Sequence, residues 1–193
     1  MGLWKRYIRW RHSKGFGVHS PYAYRFVTDV LRPGHYRYYS YQEVDKFLQG
    51  KEIQDFRLIK LIRFTIRMVI FLHSERIVVI GNNGRFAQIA ARALHLKYKD
   101  LNKGNPSELK EGDLLILAGT GENKTSIEIS VKNAVNHKVP VFALNPTPFT
   151  KEILEKPLQK GLLLNGGNRI LMVPREEMEY VSYDINLGPF LRS

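Results

Sequence analysis

Cysteine is absent from this chain of 193 residues. Its absence excludes a thiol nucleophile, a disulfide framework and a zinc site with cysteine ligands. The six histidines form no cluster along the chain, and no HExxH pair or Ser/His/Asp set occurs at a recognisable spacing. We therefore expect no metal cofactor and no hydrolytic chemistry, and we leave the catalytic residues unassigned.

Long apolar runs are missing as well. The most apolar stretch, Leu58–Leu72, is interrupted by three basic residues, and it is too short and too charged to span a bilayer. The first ten residues, MGLWKRYIRW, carry charges and lack the apolar core of a secretory signal. Together with the lack of cysteine, these features predict a soluble cytoplasmic protein.

Acidic residues are scarce near the N-terminus. The formal net charge is +12, and residues 1–40 contribute +7 of it because they contain eight Lys or Arg against the single Asp29. Eleven of the 22 aromatic residues also fall within the first 41 positions. A basic, aromatic segment of this kind predicts an acidic partner, which could be a nucleic acid, an anionic membrane surface or a small anionic or nucleotide-like ligand.

The basic segment begins with a predicted short helix. Its apolar residues share one face and its basic residues spread over the others: Leu3, Trp4, Tyr7 and Ile8 against Lys5, Arg6, Arg9 and Arg11. The apolar face could lie on an anionic membrane, bind RNA together with the aromatic residues up to Tyr41, or pack on the protein core. Of these we favour packing on the core. We accordingly divide the chain into a helical extension, residues 1–50, and a domain formed by residues 51–193.

The clearest strand–loop–helix unit spans residues 75–94. The apolar run Ile77–Ile80 predicts a buried strand, and apolar residues at helical spacing follow Arg85. Between strand and helix lies a turn made of the candidate cofactor-binding residues Gly81, Asn82, Asn83 and Gly84. Glycines at the carboxyl end of a strand let a nucleotide or phosphate approach the backbone amides. The turn has only a GxxG pair, so an ordinary strand–helix connection is an equal alternative.

A second glycine-containing loop follows the predicted strand Asp113–Leu117. Its candidate residues are Gly119, Thr120 and Gly121 for a cofactor, and Lys124, Thr125 and Ser126, with Arg85 of the first unit, for an anion. Another buried strand is predicted at Val139–Leu144, and antiparallel strands with a hairpin turn are predicted within residues 161–187.

This alternation of strands and helices predicts an α/β fold. We expect a Rossmann-like, mostly parallel sheet with helices on both faces, antiparallel edge strands at the C-terminus and a helical N-terminal extension. Ligands of such sheets bind at the carboxyl ends of the strands. The loops at Gly81, Gly119 and Asn145 would then share one rim.

Several segments resemble a known family. They are Gly15–Tyr22 (GFGVHSPY), Tyr39–Val44 (YSYQEV) and the C-terminal pieces NGG, VPREEM and YDINL. In these segments the chain resembles class I S-adenosylmethionine-dependent methyltransferase-like proteins of Bacteroidetes-type bacteria. The resemblance implies a bacterial protein with a Rossmann-like core, in which Ile77–Arg85 would wrap the methionine part of S-adenosylmethionine.

The chain departs from that family within the cofactor motif. Val79 stands where the family has an acidic residue, and Arg85 stands at its last glycine. The connection between residues 97 and 112 is too short for a full strand–helix repeat, and none of its three acids is assigned to the ribose hydroxyls. Those acids are Asp100, Glu108 and Glu111. The departures imply a divergent member with weak or lost S-adenosylmethionine binding, whose enzymatic activity and oligomeric state the sequence leaves open.

A second, local resemblance covers about residues 76–144. The segment EGDLLILAGTGENKTS is similar to the centre of sugar isomerase (SIS) domains, in which hydroxyl groups and helix N-terminal amides hold a sugar phosphate. By this resemblance Thr120, Thr125 and Ser126 would supply the hydroxyls, and Lys124 a positive charge. The sequence therefore leaves three functions open: a divergent methyltransferase-like protein, a sugar-phosphate-binding module, and an RNA- or membrane-binding protein.

Overall fold

A computed structural model describes residues 3–32, 39–49, 55–101, 108–119, 124–156 and 158–187. Its helices are α1 Leu3–His12, α2 Pro21–Phe26, α3 Tyr39–Gln49, α4 Phe56–Leu72, α5 Arg85–Ala93, α6 Lys124–Asn136 and α7 Pro148–Glu155, with a π-helical turn Val27–Leu31 directly after α2. Its strands are β1 Arg76–Ile80, β2 Lys97–Asp100, β3 Asp113–Ala118, β4 Val141–Leu144, β5 Gly161–Asn165, β6 Arg169–Pro174 and β7 Val181–Asp184.

The seven strands form one sheet in the order β2-β1-β3-β4-β6-β5-β7. Strands β2, β1, β3 and β4 are parallel neighbours, β6 is antiparallel to both β4 and β5, and β7 pairs parallel to β5. The predicted Rossmann-like, mostly parallel sheet is therefore confirmed, and β5 and β6 form the predicted hairpin. Strand β6 alone among these seven strands runs antiparallel to β1. Strands β5 and β7 run in the direction of β1.

Successive side chains of a strand point to opposite faces of the sheet. The strands therefore contribute to two apolar layers, one on each face. Val79 and Ile116 face α4 and α5, together with α2 and α3, whereas Val78 and Leu117 face α6 and α7. Strand β3 is buried at every position, which is typical of a parallel strand covered by helices on both faces.

Helix α4 organises the helical layer that also contains α2, the π-helical turn and α3. Asp55 caps its start by accepting hydrogen bonds from the backbone N–H groups of Arg57 (2.8 Å) and Leu58 (3.2 Å). Two of its basic residues bind neighbouring elements. Arg63 donates to both carboxylate oxygens of Asp45 in α3 (2.9 and 3.1 Å). Arg67 donates to the carbonyl of Val30 in the π-helical turn (2.7 Å) and to Tyr41 (2.8 Å).

Helix α1 attaches to the edge of the sheet that β7 forms. We expected its apolar face to pack on the core, and this prediction is wrong. Arg9 is the buried residue of α1, and its guanidinium lies 3.4 Å from the carboxylate of Asp184 at the end of β7. His12 Nδ1 is 2.7 Å from the carbonyl oxygen of Asp184. The helix therefore contacts the protein through its polar face. Trp4 and Tyr7 of its apolar face are exposed.

Two elements of the core domain were not predicted. Strand β2 lies in the connection that looked too short for a strand–helix repeat, and α7 begins in the loop after β4, where Thr147 caps it and Pro148 is its first residue. Residue 50, at the predicted boundary between extension and domain, lies outside the described residues, so this division stays a prediction. Within the described part of the chain, no helix is long and apolar enough to cross a membrane. The cytoplasmic location stays a prediction.

Candidate ligand-binding site

The loops after β1 and β3 meet at the carboxyl end of the parallel strands. The backbone N–H of Asn83 donates to the carbonyl of Ala118 at 3.0 Å. Gly119 has φ +130°, and a Cβ added to it would lie 3.4 Å from the backbone nitrogen of Asn82 and 3.5 Å from the side-chain nitrogen of Asn83. A larger residue at 119 would be strained and would crowd the first loop. The Gly81–Gly84 loop and Gly119, the described start of the second glycine loop, thus form one surface, which we call the glycine rim.

Gly84 fixes the start of α5 against the sheet. It occupies the N-cap position, and a Cβ added to it would lie 2.7 Å from Cγ1 of Val79 and 3.2 Å from the hydroxyl of Tyr98. Val79 is fully buried. The side chain of Val79 therefore fills the space behind the loop. Val79 stands where the methyltransferase-like family that the sequence resembles has an acidic residue.

Strand β2 brings an acid to the same place. Asp100 is the last residue of β2, and it aligns with Val79 in the parallel register. Tyr98 and Asp100 are two residues apart in a strand, so they share one face of the sheet. Because the hydroxyl of Tyr98 reaches Gly84, this is the face that carries the Gly81–Gly84 loop. Asp100 is exposed, and its carboxylate is thus accessible to a ligand on the rim.

The electrostatics of Tyr98 agree with this placement. Its pKa is raised above the ordinary value of 10.0, first because the phenol is partly buried and second because Asp100 contributes negative charge. The phenol is therefore neutral at physiological pH. A neutral hydroxyl both donates and accepts hydrogen bonds beside the Asp100 carboxylate.

The other two acids of this connection lie elsewhere. Glu108 pairs with Lys99, and its carbonyl accepts a hydrogen bond from Arg76 at the amino end of β1. Glu111 lines a cavity of about 570 Å³ at the amino ends of the strands. Of the three acids considered from the sequence, Asp100 alone lies at the carboxyl end.

Two basic residues that line the cavity at the amino ends, Arg175 and Lys138, are paired with acids. Arg175 Nε lies 2.6 Å from Glu177, and Lys138 Nζ lies 3.2 Å from Glu176. Arg175 also lies over the ring of Tyr22, 4.6 Å from its centroid. Burial raises the pKa of Tyr22, and the charge of Arg175 opposes this rise. These pairs leave the glycine rim as the better candidate for a polar ligand.

The predicted anion-binding residues lie on helix starts. Arg85 is the exposed first residue of α5, and Lys124, Thr125 and Ser126 form the first turn of α6. Lys124 Nζ lies 5.3 Å from the ring centroid of Phe149 in α7. Thr120 and Gly121 lie outside the described residues. The binding roles of all the candidate residues stay predictions.

Sequence reasoning missed Tyr98, and it named Asp100 without assigning it a role. The segment KYKD is short and polar, so apolar periodicity does not reveal it as a strand. The signal that identifies Asp100 is its distance along the chain from the first glycine loop. Asp100 follows Gly81 by 19 residues, and an acid about 20 residues after the glycine loop binds the ribose in dinucleotide-binding folds.

No group of three or more metal-ligating side chains occurs among the described residues. No protein-family model matches the chain, and no curated protein matches its sequence. Among solved structures, the chain is similar to the methyltransferase PaMTH1 of Podospora anserina, bound to SAH, with 12% identity and a TM-score of 0.43. The match covers 84% of this chain and 98% of that chain. A likeness of this size assigns neither a ligand nor an activity.

Proposed function

We propose that the chain is a divergent class I methyltransferase-like protein that binds S-adenosylmethionine, or its demethylated product, weakly at the glycine rim. The observation that carries the proposal is the position of Asp100. It ends the strand next to β1 and lies on the face of the Gly81–Gly84 loop. A carboxylate there suits the two vicinal hydroxyls of a ribose, and the loop offers backbone amides to the rest of the ligand.

We expect weak binding because of the part of the site that would hold the methionine moiety of S-adenosylmethionine. Val79 is buried against Gly84 and supplies no charge for the ammonium group of the cofactor. Arg85 adds a positive charge at the start of α5, next to a ligand that carries a sulfonium. A hydrogen bond to a charged group contributes about 1.5–3 kcal/mol, so losing one acid weakens binding roughly 10- to 100-fold.

Calorimetric titration with S-adenosylmethionine and with its demethylated product tests the proposal. We expect a dissociation constant between about 10 μM and about 1 mM, corresponding to roughly −7 to −4 kcal/mol. Asp100→Ala should weaken binding at least tenfold, because it removes the acceptor for the ribose hydroxyls. Glu179→Ala, which removes another exposed acid far along the chain, is the matched control and should bind like the parent protein.

Each outcome bears on one part of the proposal. A dissociation constant below about 10 μM would contradict the weakened methionine end. Equal affinities for the parent and Asp100→Ala would contradict the ribose contact, and no heat at millimolar ligand would contradict the cofactor itself.

A panel of phosphosugars in a thermal-melting assay separates this proposal from the sugar-phosphate alternative. A ligand at 100 times its dissociation constant adds about 2.7 kcal/mol of stability. A phosphosugar shift that survives Asp100→Ala and is lost in Lys124→Ala would move the function to the start of α6.

A further inference from the structure

The outward face of α1 is an unusual surface. Half of the exposed large hydrophobic side chains among the described residues belong to α1 and the turn after it. We call this set the aromatic face: Leu3, Trp4, Tyr7, Trp10 and Phe16. Leu3 is 83% exposed and Trp4 is 70% exposed. Such a patch on one short helix exceeds the scattered apolar residues that are normal on a protein surface.

The aromatic face is held outward by the other side of the helix. Arg9 pairs with Asp184, and His12 contacts the Asp184 carbonyl. Gly167 leaves room for this guanidinium, because a Cβ there would lie 2.8 Å from Arg9 Nη1. Ser13 is fully buried beneath the helix end. The helix is therefore fixed with its polar side on the sheet and its apolar side in solvent, the reverse of an amphipathic helix that covers a core.

The charges around the aromatic face have one sign. Residues 3–20 contain five Lys or Arg and no acid. Arg9 faces Asp184, whereas the other four are exposed: Lys5, Arg6, Arg11 and Lys14. An apolar stripe bordered by cations is complementary to a surface that is apolar inside and anionic outside, which is the composition of a membrane interface.

The ring geometry favours lipid over nucleic acid. Base stacking uses open ring faces, whereas the rings of this helix lie side by side and a lysine lies over the face of Trp10. Tyr7 lies 5.8 Å from Trp4 and 6.1 Å from Trp10 between centroids. Lys14 Nζ lies 4.1 Å from the centroid of Trp10. The most exposed member, Leu3, is aliphatic and offers nothing to a base, whereas tryptophan and tyrosine beside cations are typical of bilayer interfaces.

We propose that α1 and Phe16 form an interfacial membrane anchor, which docks the protein on bilayers that contain anionic lipids. The apolar side chains enter the boundary between headgroups and acyl chains, and the four exposed cations contact lipid phosphates.

Tryptophan fluorescence reports directly on this surface, because the chain has two tryptophans and both belong to the aromatic face. We expect a blue shift of the emission on vesicles of phosphatidylcholine with phosphatidylglycerol, and little change on phosphatidylcholine alone. Flotation of the full chain with the same vesicles gives the bound fraction. The shift should persist in part at high salt, because apolar insertion is not screened.

Two sets of variants separate the apolar and the cationic contributions. Leu3→Ser with Phe16→Ser keeps both tryptophans and should weaken vesicle binding at least tenfold, whereas Phe56→Ser with Ile129→Ser changes two exposed apolar residues elsewhere and should not.

Replacing Lys5, Arg6 and Lys14 by Glu should weaken binding more than about 100-fold, since each basic residue near an anionic surface contributes about 1 kcal/mol. The matched control replaces three exposed basic residues of the same types, Arg57, Lys132 and Lys160. All these positions are exposed, and circular dichroism checks that each variant folds.

Three outcomes would overturn the anchor. The first is equal binding by the test and control variants. The second is binding of a labelled single-stranded RNA that quenches the tryptophans, with no effect of anionic vesicles. The third is a blue shift that depends on protein concentration alone, with dimers in sedimentation, because it would assign the aromatic face to a second copy of the chain.

Discussion

Replacing Gly84 by alanine tests how closely the start of α5 packs on β1. The backbone of Gly84 has φ −79°, which alanine adopts without strain, so the effect comes from the added methyl group. That methyl would lie 2.7 Å from Cγ1 of the buried Val79. Overpacking of this kind costs about 1–3 kcal/mol. For a chain of this size, that loss lowers the melting temperature by roughly 2–12 °C.

A double-mutant cycle with Val79→Ala isolates the contact. Val79→Ala removes two methyl groups, which costs about 1.6 kcal/mol in burial and more for the cavity that remains. In that background the methyl group added at position 84 enters the vacated space, so Gly84→Ala should be close to neutral. We expect a coupling free energy of about 1–2 kcal/mol, favouring the double variant.

Equilibrium unfolding in urea, followed by circular dichroism, measures the four proteins of the cycle. The weaker N-cap preference of alanine relative to glycine is present in both backgrounds and cancels. Additive costs, with a coupling below about 0.3 kcal/mol, would show that the Gly84–Val79 approach does not limit the packing of α5. Our explanation of the filled space behind the loop would then fail.

Three further predictions concern the rest of the molecule. Gly161→Ala should destabilise the chain by about 3 kcal/mol or more in urea unfolding, because φ is +125° and the new Cβ would lie 2.3 Å from the Val173 carbonyl oxygen; a loss below about 1 kcal/mol would contradict this geometry. Asp184→Ala should cost about 1 kcal/mol and speed tryptic cleavage within α1, because it removes the carboxylate beside Arg9; unchanged cleavage would contradict the docking. The raised pKa of Tyr98 should make stability fall as pH rises above about 10, because the unfolded phenol releases its proton first; Tyr98→Phe should lose less stability than the parent between about pH 9 and about pH 11, and equal losses would contradict the shift.

The parts of the fold that the sequence predicted are those with local signals. The strands β1, β3 and β4 are short apolar runs, which the sequence shows directly. Helix α7 also has a local signal, a threonine cap followed by Pro148, but the two prolines around it favoured a loop. The strands were found because their signals lie within a few positions of one another, whereas α7 was missed because its prolines were interpreted as loop residues.

The parts that the sequence could not predict depend on distant residues. Strand β2 is recognised by its place beside β1, since its own residues are polar and partly exposed. The orientation of α1 depends on Arg9 and Asp184, which are 175 residues apart. Helical periodicity placed Leu3, Trp4 and Tyr7 on one face of α1, but it could not show that the ion pair of Arg9 with Asp184 would turn this face away from the core.

The sheet order also separates the two proposed functions in space. Strand β2, which ends in Asp100, lies at one edge of the sheet, and β7, which ends in Asp184 and holds α1, lies at the other. Six spacings between neighbouring strands of about 4.8 Å put the two ends roughly 29 Å apart. Both strands run in the direction of β1, so both ends lie on the same rim. This separation excludes direct contact between α1 and a ligand at Asp100, and we expect cofactor titration to give the same dissociation constant with and without anionic vesicles. A dissociation constant that changes on vesicles would mean that the two edges are coupled, which this separation does not provide.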